Sequence, residues 1–366
     1  MSVGNVECLT YCQPIATLTT RVIKVRAAIF KGVGTPLVVE KIEAPKCGPT
    51  DLILKVKNCG ICGSDLHMTE ATSIQPLPAG SVMGHEFAGE VVEVGSAVKG
   101  AWKTGDRVAG FPYIRCGECA GCRESGGGFS VCEKGVGIGL GQSHGAYAEF
   151  VRIGANGAHR LPDNLNFQEG AMIEPLAVGL HAVDKAQMPR GATVLVIGAG
   201  PVGLSVMLWA KFLGARHVIV SDRAELRAKM AARFGATDAI DPSKPLIPQV
   251  EAIAGHGPEI IFECVGAPGL INEVMMMAPR NCKIVVAGVC QQMDMILPLM
   301  GIVKELCLQF VLGYRPADFD YVINMISKDR VDVQHMITDV VNLDGLPAAF
   351  DALRKPVHQC KVMLEN

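Results

Sequence analysis

Aromatic residues and long apolar runs are both scarce in this 366-residue sequence. Phe, Trp and Tyr make up 5% of the residues, so residue types reveal little about the shape of a binding pocket. Mean hydropathy is high, at +0.29, yet no apolar run reaches the roughly 18 residues that a membrane-spanning helix needs. Short apolar segments broken by Gly, Pro and charges are instead typical of a buried parallel sheet. The sequence therefore predicts no membrane partner.

The chain also lacks an excess of charge of either sign. Its 34 Lys and Arg residues nearly balance its 36 Asp and Glu residues, for a formal net charge of -2. This balance predicts no nucleic-acid partner and no attraction to a charged membrane surface. Hydrophobic residues reach 49%, which supplies cores for the two domains that this length predicts and argues against long disordered stretches.

No secretion signal is recognisable at the start of the sequence. Residues 1–24 lack a basic start, a continuous apolar stretch and a small-residue cleavage site, so we interpret them as an N-terminal arm. A cytoplasmic, reducing location follows as the prediction. The 14 cysteines are then expected to be metal ligands or small core residues, because disulfides are rare in such compartments.

The first half of the chain has the pattern of an antiparallel, barrel-like domain. Between about residues 25 and 175, four strand-like segments are punctuated by glycines: VRAAIF, LVVEKIE, DLILKVKNCG and FAGEVVEVG. A final section from about residue 314 adds a helical segment, FDYVINMIS, and a closing strand, CKVMLEN.

After about residue 190, short apolar strands alternate with helical segments. The strands are TVLVIG, HVIVSD, EIIFECVG and CKIVVAGV, and a helix is predicted over 201–213. A second helix is indicated by Leu226, Met230 and Phe234, which recur every four residues before Gly235, a candidate C-cap. This alternation predicts an α/β fold with an open, doubly wound parallel sheet.

A glycine-rich fingerprint follows the first of these strands. Gly198, Gly200 and Gly203 fit G-x-G-x-x-G, with Pro201 and Val202 between the second and third glycine. The first glycine permits a tight turn, the second lets a pyrophosphate approach the backbone, and the third lets helix and strand pack closely. The phosphates would then lie at the N-terminus of the helix, where free N–H groups favour anions.

The residue at the end of the second strand predicts which dinucleotide binds. Asp222 lies nineteen residues after Gly203, where a carboxylate can accept both adenosine ribose hydroxyls and would repel a 2′-phosphate. This favours NAD over NADP, although the adjacent Arg223 could soften the preference. A glycine-rich turn with an exposed aspartate is the alternative interpretation.

Four cysteines lie close together between residues 116 and 132. Cys116, Cys119 and Cys122 are spaced C-x2-C-x2-C, and Cys132 follows after nine intervening residues that include the glycine run 126–128, predicted to be a turn. Four thiolates can close a tetrahedral shell around zinc and leave no position for a substrate. The pattern therefore predicts a structural zinc that holds a surface loop, rather than free or core cysteines.

A second set of possible ligands combines three residue types. Cys62 in CGICGSDLH, and His85 and Glu86 in GHE, offer a thiolate, an imidazole and a carboxylate, with Glu174 in MIEPLAVGLHAV as a fourth candidate. Three protein ligands with one open position are the pattern of a catalytic zinc. Each residue alone is more often an ordinary core or surface residue, so the combination carries the prediction.

As a set and in their order, these motifs resemble the zinc-dependent branch of the medium-chain dehydrogenase/reductase superfamily, from about residue 25 onward. The resemblance implies a GroES-like β-barrel catalytic domain over 25–176 and 314–366, and a Rossmann NAD-binding domain over 177–313. It implies an NAD-dependent alcohol dehydrogenase with one catalytic and one structural zinc per chain. It also implies a homodimer or homotetramer acting on a small alcohol or ketone.

The resemblance further implies roles for individual residues. Ser64 matches the hydroxyl that takes the substrate proton, and His67 matches the outer member of that relay. Asp65 matches the partner that orients the zinc ligand His85. Contacts with the nicotinamide ring and with the adenosine end of the cofactor are expected from Val178 and Arg227.

Three features of the sequence depart from simple alcohol dehydrogenases of this family or refine the resemblance. Simple alcohol dehydrogenases have a Cys at the position of Glu174. A glutamate at this position resembles polyol and threonine dehydrogenases, and the resemblance implies that either Glu86 or Glu174 completes the metal shell. The gap before Cys132 is nine residues, where the usual pattern has seven. Arg315 falls near a substrate arginine of polyol dehydrogenases, but a surface or interface arginine is the alternative.

The motifs argue against two other functions. A zinc-free quinone or enoyl reductase would lack the Cys/His/Glu set, and a non-catalytic NAD- and zinc-binding protein would lack Cys62, His85 or Ser64. All of these residues are present. The sequence therefore predicts hydride transfer between a secondary alcohol or polyol and NAD, which gives the ketone or aldehyde.

Overall fold

The computed structural model describes residues 23–124, 131–355 and 359–366. Most of the predicted N-terminal arm and the glycine run 126–128 lie outside these residues. The first strand begins at Lys24, and the arm over 1–24 stays a prediction.

The first half of the described chain is rich in short strands, as predicted. They are β1 (Lys24–Ile29), β2 (Val38–Glu43), β3 (Asp51–Gly60), β4 (Glu86–Val94), β5 (Arg107–Gly110), β6 (Tyr113–Ile114), β7 (Val136–Gly137), β8 (Phe150–Gly154) and β9 (Ala158–Arg160). The helices between and after them are α1 (Gly63–Met68), α2 (Ala120–Glu124), α3 (Phe167–Ala171) and α4 (Ile173–Ala186).

Strands and helices alternate in the next part of the chain. The strands are β10 (Thr193–Ile197), β11 (His217–Ser221), β12 (Asp238–Ile240), β13 (Ile260–Glu263), β14 (Lys283–Val286) and β15 (Cys307–Phe310). The helices are α5 (Pro201–Phe212), α6 (Glu225–Ala231), α7 (Leu246–Ala254), α8 (Leu270–Met277) and α9 (Pro298–Lys304). The closing section contains α10 (Pro316–Ser327), β16 (Ile337–Val341), α11 (Leu346–Ala352) and β17 (Lys361–Glu365).

A mixed sheet combines strands from the two ends of the described chain. Its order is β16-β17-β3-β4-β5-β9, and β8 also pairs with β3. The pairings are antiparallel except for β16 with β17, which is parallel and departs from the purely antiparallel prediction. Met363 of β17 lies opposite Gly60 of β3, so the closing strand completes the sheet that begins some 300 residues earlier.

The second sheet is entirely parallel, in the order β12-β11-β10-β13-β14-β15. Strand order reverses between β10 and β13, and ligands of open parallel sheets bind in the crevice at such a point, beyond the carboxyl ends of the strands. All five residues of β10 are buried because helices cover both faces. The doubly wound α/β prediction is confirmed.

The helix boundaries also agree with the sequence patterns. Helix α5 begins at the predicted proline and ends one residue before the predicted end. Helix α6 continues as a short 3-10 turn to Phe234, which is buried, and Gly235 adopts the left-handed conformation (φ 93°) expected of a C-cap. Among the described residues, no helix combines the length and the apolar content needed to cross a membrane.

Helix α4 packs against α5 at close range and connects the two sheets. The Leu176 carbonyl accepts hydrogen bonds from Trp209 Nε1 (2.8 Å) and Ser205 Oγ (3.2 Å). A Cβ at Gly179 would collide with Ser205, so the glycine sets how closely the helices approach. Because α4 runs across the predicted boundary at 176/177, that exact division of domains stays a prediction.

Candidate active site

One cleft brings together the residues predicted from separate motifs. It has a volume of about 1560 Å³ and extends from the carboxyl end of the parallel sheet to α1. The predicted residues that line it are Cys62, Ser64, His67, His85, Glu86, Glu174, Val178, Gly198, Gly200, Pro201, Val202, Asp222, Arg223 and Arg227.

Three of the predicted metal ligands form a compact group in this cleft. Donor atoms of Cys62, His85 and Glu86 all lie within 4.8 Å of one another. Cys62 is the N-cap of α1, directly after β3, while His85 and Glu86 stand where the neighbouring β4 begins. A Cβ at Gly60 would collide with the Glu86 carboxylate, so the glycine beside this pairing leaves room for it.

Asp65 lies beside the histidine of this group. Its Oδ1 lies 3.2 Å from His85 Nδ1, so Nε2 is the ring nitrogen that is not directed at Asp65. Its Oδ2 accepts hydrogen bonds from the Tyr147 hydroxyl (2.6 Å) and from the Cys62 backbone N–H (3.1 Å). Burial works to lower the pKa of His85, but the charges of Asp65 and Cys62 outweigh burial and raise that pKa well above its ordinary value.

The two carboxylates that sequence analysis left as alternatives have different partners. Both oxygens of Glu86 accept hydrogen bonds from Lys361 Nζ at 2.6 Å, in a buried ion pair. Glu174 Oε1 instead accepts a hydrogen bond of 2.5 Å from the Tyr314 hydroxyl. Burial raises the pKa of Glu174 to about 7. Burial works to lower the pKa of Lys361, but the Glu86 carboxylate more than offsets it and raises that pKa.

Sequence analysis missed Tyr147, Lys361 and Tyr314. They are fully buried and contact Asp65, Glu86 and Glu174, respectively. The closing strand CKVMLEN carried one usable signal, because a lysine inside a strand with a buried pattern needs an anionic partner. Neither tyrosine is distinguishable in sequence from an ordinary core aromatic.

The predicted proton-relay residues lie on one face of α1. Ser64 and His67 are three residues apart on the helix, and both line the cleft. Ser64 Oγ donates a hydrogen bond to Cys62 Sγ at 3.2 Å, which places the hydroxyl beside the group of Cys62, His85 and Glu86. The His67 ring is 44% exposed, with Nδ1 3.5 Å from Glu70 Oε1, so it reaches solvent.

The glycine fingerprint has the geometry that its spacing predicts. Gly198 turns with φ 99°, in the left-handed region. A Cβ at Gly203 would collide with the carbonyl oxygen of Gly198, whereas a Cβ at Gly200 would meet open space. Gly203 therefore allows helix and strand to touch, and Gly200 keeps the backbone accessible from the cleft.

Asp222 is fixed at the end of β11 by two backbone N–H groups. Its Oδ2 accepts from Ala199 and its Oδ1 accepts from Ala224, both at 2.6 Å. Arg227 donates to the Gln359 carbonyl at 2.9 Å. Arg223, Arg227 and Lys244 all line this end of the cleft, because β11 and β12 are adjacent and parallel.

Arg315 lies away from the substrate end of the cleft. Its Nη2 forms ion pairs with Asp318 (2.9 Å) and with Asp184 on α4 (3.1 Å), and the side chain does not line the cleft. The geometry therefore corrects the interpretation of Arg315 as a substrate contact, since two carboxylates already take up its guanidinium.

The four cysteines between 116 and 132 converge as predicted. Their sulfurs lie within 4.8 Å of one another, and Cys116 Sγ is 3.5 Å from Cys132 Sγ and 4.0 Å from Cys122 Sγ. Tetrahedral zinc with Zn–S bonds of about 2.3 Å requires S–S distances of about 3.8 Å. Cys132 therefore belongs to the group despite its unusual spacing.

The electrostatics of this cysteine cluster fit a cation. Backbone N–H groups of Glu118 and Cys119 lower the pKa of Cys116 to about 6. Burial raises the pKa of Cys122 to about 12. Four thiolates so close together repel one another, so full ionisation needs a positive ion among them. The twelve cysteines in the described part of the chain form no disulfide.

Comparisons with known proteins agree with this arrangement. The family model of the alcohol dehydrogenase GroES-like domain matches residues 48–163, and that of the zinc-binding dehydrogenases matches residues 201–353. The L-threonine 3-dehydrogenase of Colwellia psychrerythraea is 33% identical over 319 residues, which cover 86% of this chain and 92% of that protein.

Two solved structures have the same fold along nearly their whole length. The 2R,3R-butanediol dehydrogenase of Bacillus subtilis superposes with a TM-score of 0.82 at 30% identity, and the match covers 93% of this chain and 99% of that one. An Escherichia coli CFT073 alcohol dehydrogenase, solved with NADH, superposes with a TM-score of 0.84 at 28% identity, over 94% and 99%.

Proposed function

Since this chain belongs to the zinc-dependent alcohol dehydrogenase family, we propose that it oxidises a secondary alcohol or polyol with NAD at the cleft between its sheets. The observation that carries the proposal is the shared cleft: the donor group of Cys62, His85 and Glu86 and the dinucleotide fingerprint both line it. A hydride donor and a hydride acceptor bound at these two positions would meet.

The donor group fits a catalytic zinc. A thiolate, an imidazole and a carboxylate are ligands that zinc accepts, and three protein ligands leave one position for a substrate oxygen. Zinc bound there supplies a Lewis acid that makes an alcohol easier to deprotonate. Asp65 would hold His85 with Nε2 toward the metal, as its distance to Nδ1 supports.

Two residues of α1 would move the substrate proton. Ser64 Oγ, beside the donor group, would take the proton from the substrate hydroxyl. His67 would release a proton to solvent, since its ring is partly exposed and an imidazole has an unperturbed pKa of about 6.5.

The other end of the cleft would bind NAD, which supplies the hydride acceptor. Pyrophosphate would lie over Gly200 at the N-terminus of α5, and Asp222 would accept the ribose hydroxyls. Val178, on α4 between the two ends, would contact the nicotinamide ring. Arg223 and Arg227 would lie at the adenosine end.

The distribution of charge favours an uncharged substrate. Among the described residues that line the cleft, three of the four lysine and arginine side chains lie at the cofactor end with Asp222, and the fourth, Lys361, is paired with Glu86. A carboxylate or phosphate on the substrate would therefore meet Glu174 with no lysine or arginine left to bind it. Neutral polyols and diols are the predicted substrates, although a threonine dehydrogenase is among the similar proteins.

The cysteine cluster would hold the second, structural zinc, for a total of two per chain. We further propose a cytoplasmic location, which the free thiols of the described residues support.

The chain would form a homodimer through the outer edge of the parallel sheet. Strand β15 is the last strand in the sheet order, and every residue of α9 is at least partly exposed. Unusually exposed apolar side chains cluster along this edge: Met293, Met295, Leu299, Ile302, Phe310 and Leu312. Pairing with a second copy would cover both the strand edge and these side chains, and Phe310→Glu should give monomers in analytical ultracentrifugation.

A substrate screen tests the proposed reaction. NAD reduction should appear with neutral polyols and diols, with little or none for L-threonine or a sugar phosphate, and should be lost when the catalytic zinc is removed. Binding of zinc and NAD without turnover of any alcohol would instead support the non-catalytic alternative. Preference for a charged alcohol would overturn the substrate assignment alone.

A further inference from the structure

The buried pair of Tyr314 and Glu174 has no part in the chemistry described so far. Their side chains are almost completely buried, and the phenol donates to Glu174 Oε1 at 2.5 Å. Glu174 lines the cleft, yet among the described residues the compact donor group contains Cys62, His85 and Glu86 without it. A carboxylate able to bind metal is therefore held beside a metal site by a hydrogen bond.

The phenol is held firmly enough to restrain its partner. Phe111 packs against the Tyr314 ring edge-on, at 5.3 Å between centroids, and Phe319 packs at 5.1 Å. The next residue, Arg315, forms an ion pair with Asp184 on α4, the same helix that carries Glu174. Donor and acceptor are thus attached to one packed unit, and the hydrogen bond does not depend on a mobile loop.

A divalent cation bound by the donor group would draw Glu174 toward it. Glu86 already shares its charge with Lys361, whose Nζ contacts both carboxylate oxygens. One thiolate and this paired carboxylate leave a divalent cation incompletely neutralised, so the cation attracts the next carboxylate within reach. The opposing restraint in the structure is the Tyr314 hydroxyl.

We propose that Tyr314 is a positioning residue whose hydroxyl holds Glu174 out of the metal's coordination shell and keeps one position open for the substrate oxygen. This inference rests on the proposed function, since it requires zinc bound by the donor group. Without the hydroxyl, Glu174 occupies the open position. The variant then holds zinc more tightly than the wild type and turns over more slowly.

The test compares Tyr314→Phe with Tyr321→Phe, a matched removal of one hydroxyl from a partly exposed tyrosine of α10 that packs on Trp209. Zinc transfer to a chromogenic chelator and kcat are measured on both variants. Zinc release from the wild type is compared with that from Cys62→Ser, and the phase of release that is missing in Cys62→Ser is assigned to the catalytic zinc. Tyr314→Phe should release that zinc about tenfold more slowly and lose about tenfold in kcat, within the range known for partners of metal ligands.

The double variant Tyr314→Phe/Glu174→Gln separates this effect from a packing change. A neutral amide is a poor zinc ligand, so the double variant should release zinc at the wild-type rate, as should Tyr321→Phe. Unchanged or faster zinc release in Tyr314→Phe overturns the inference while the proposed function stands. A wild-type protein without Cys62-dependent zinc overturns both.

Discussion

The two groups of metal-binding residues are built in opposite ways. The four cysteines lie within seventeen consecutive positions of the sequence, are of one chemical type, and receive backbone N–H groups from their own loop. The group of Cys62, His85 and Glu86 mixes three donor types at the meeting of two strands, and its partners come from far along the chain, as in the ion pair of Glu86 with Lys361.

The two groups differ in how much of each metal site is contributed by residues other than its ligands. Four thiolates complete a tetrahedral shell by themselves, so the cysteine cluster needs no partner beyond its loop. With zinc bound as proposed, the group of Cys62, His85 and Glu86 would leave a position open, and Asp65, Lys361 and Tyr314 contact the residues around that position. The closed site can be recognised from ligands alone, whereas the open one depends on its partners.

The same substitution in the two groups should give the sharpest contrast. Cys62→Ser is expected to abolish turnover, since it removes a thiolate of the catalytic zinc, while NAD still binds to the separate fingerprint. Cys119→Ser provides the control, and its folded fraction should retain kcat. Activity with the wild-type substrate would be compared with NAD binding by calorimetry. Near-normal turnover in Cys62→Ser would show that this group is not the catalytic site.

Removal of the relay hydroxyl should have the next largest effect. Ser64→Ala is expected to lower kcat by roughly 10²-fold, within the range for general acid–base groups. Zinc content should stay at the wild-type value because Ser64 donates to Cys62 without being a ligand. Steady-state rates across pH, together with metal analysis, check both. An unchanged kcat over the whole pH range would remove Ser64 from the relay.

A change at the cofactor end should leave both metal groups intact. Asp222→Gly is expected to lower the ratio of kcat/KM for NAD over NADP by about 10- to 100-fold, since a hydrogen bond to a charged group contributes about 1.5–3 kcal/mol. The ratio is measured by initial rates with each cofactor, and zinc content serves as the control. A wild-type enzyme that already prefers NADP would contradict the role of Asp222.

Loss of the cysteine cluster should affect stability more than rate. In Cys119→Ser, loss of the structural zinc should lower the midpoint of thermal unfolding by roughly 5 °C. This value assumes a loss of about 3–5 kcal/mol and a shift of about 1.3 °C per kcal/mol for a chain of this length. Calorimetry of the zinc-loaded protein measures this shift, and a chelator should reproduce it in the wild type. An unshifted midpoint with one zinc lost would show that the loop folds without its metal.

Local patterns predicted the sheet strands, the fingerprint and the cysteine cluster well, because spacing along the chain determines each of them. Gly198 and Gly203 have the conformation and close contact that G-x-G-x-x-G requires. The sulfur of Cys132 joins the other three although the gap before it is two residues longer than the usual seven. In each case the partners are near neighbours in sequence or on adjacent strands.

The parts that could not be predicted depend on pairs far apart in the chain. Glu86 and Glu174 are distinguished in the structure by their partners Lys361 and Tyr314, which lie 275 and 140 residues away from them, respectively. The sequence left Arg315 as either a substrate contact or a surface arginine, and one of its two carboxylate partners, Asp184 on α4, lies 131 residues earlier. A single sequence can indicate that a buried lysine such as Lys361 needs an anionic partner, but it does not say which distant residue that partner is.

The pairing of β17 with β3 has a consequence for synthesis of the chain. A ribosome adds about 5–20 residues per second, so the 275 residues between Glu86 and Lys361 take about 14–55 s to emerge. Over that interval the parallel sheet can fold as a unit and the four-cysteine loop can take up zinc, while Glu86 does not yet have Lys361 as a partner. The ion pair of Glu86 with Lys361 therefore forms only after the parallel sheet and the cysteine loop have been synthesised.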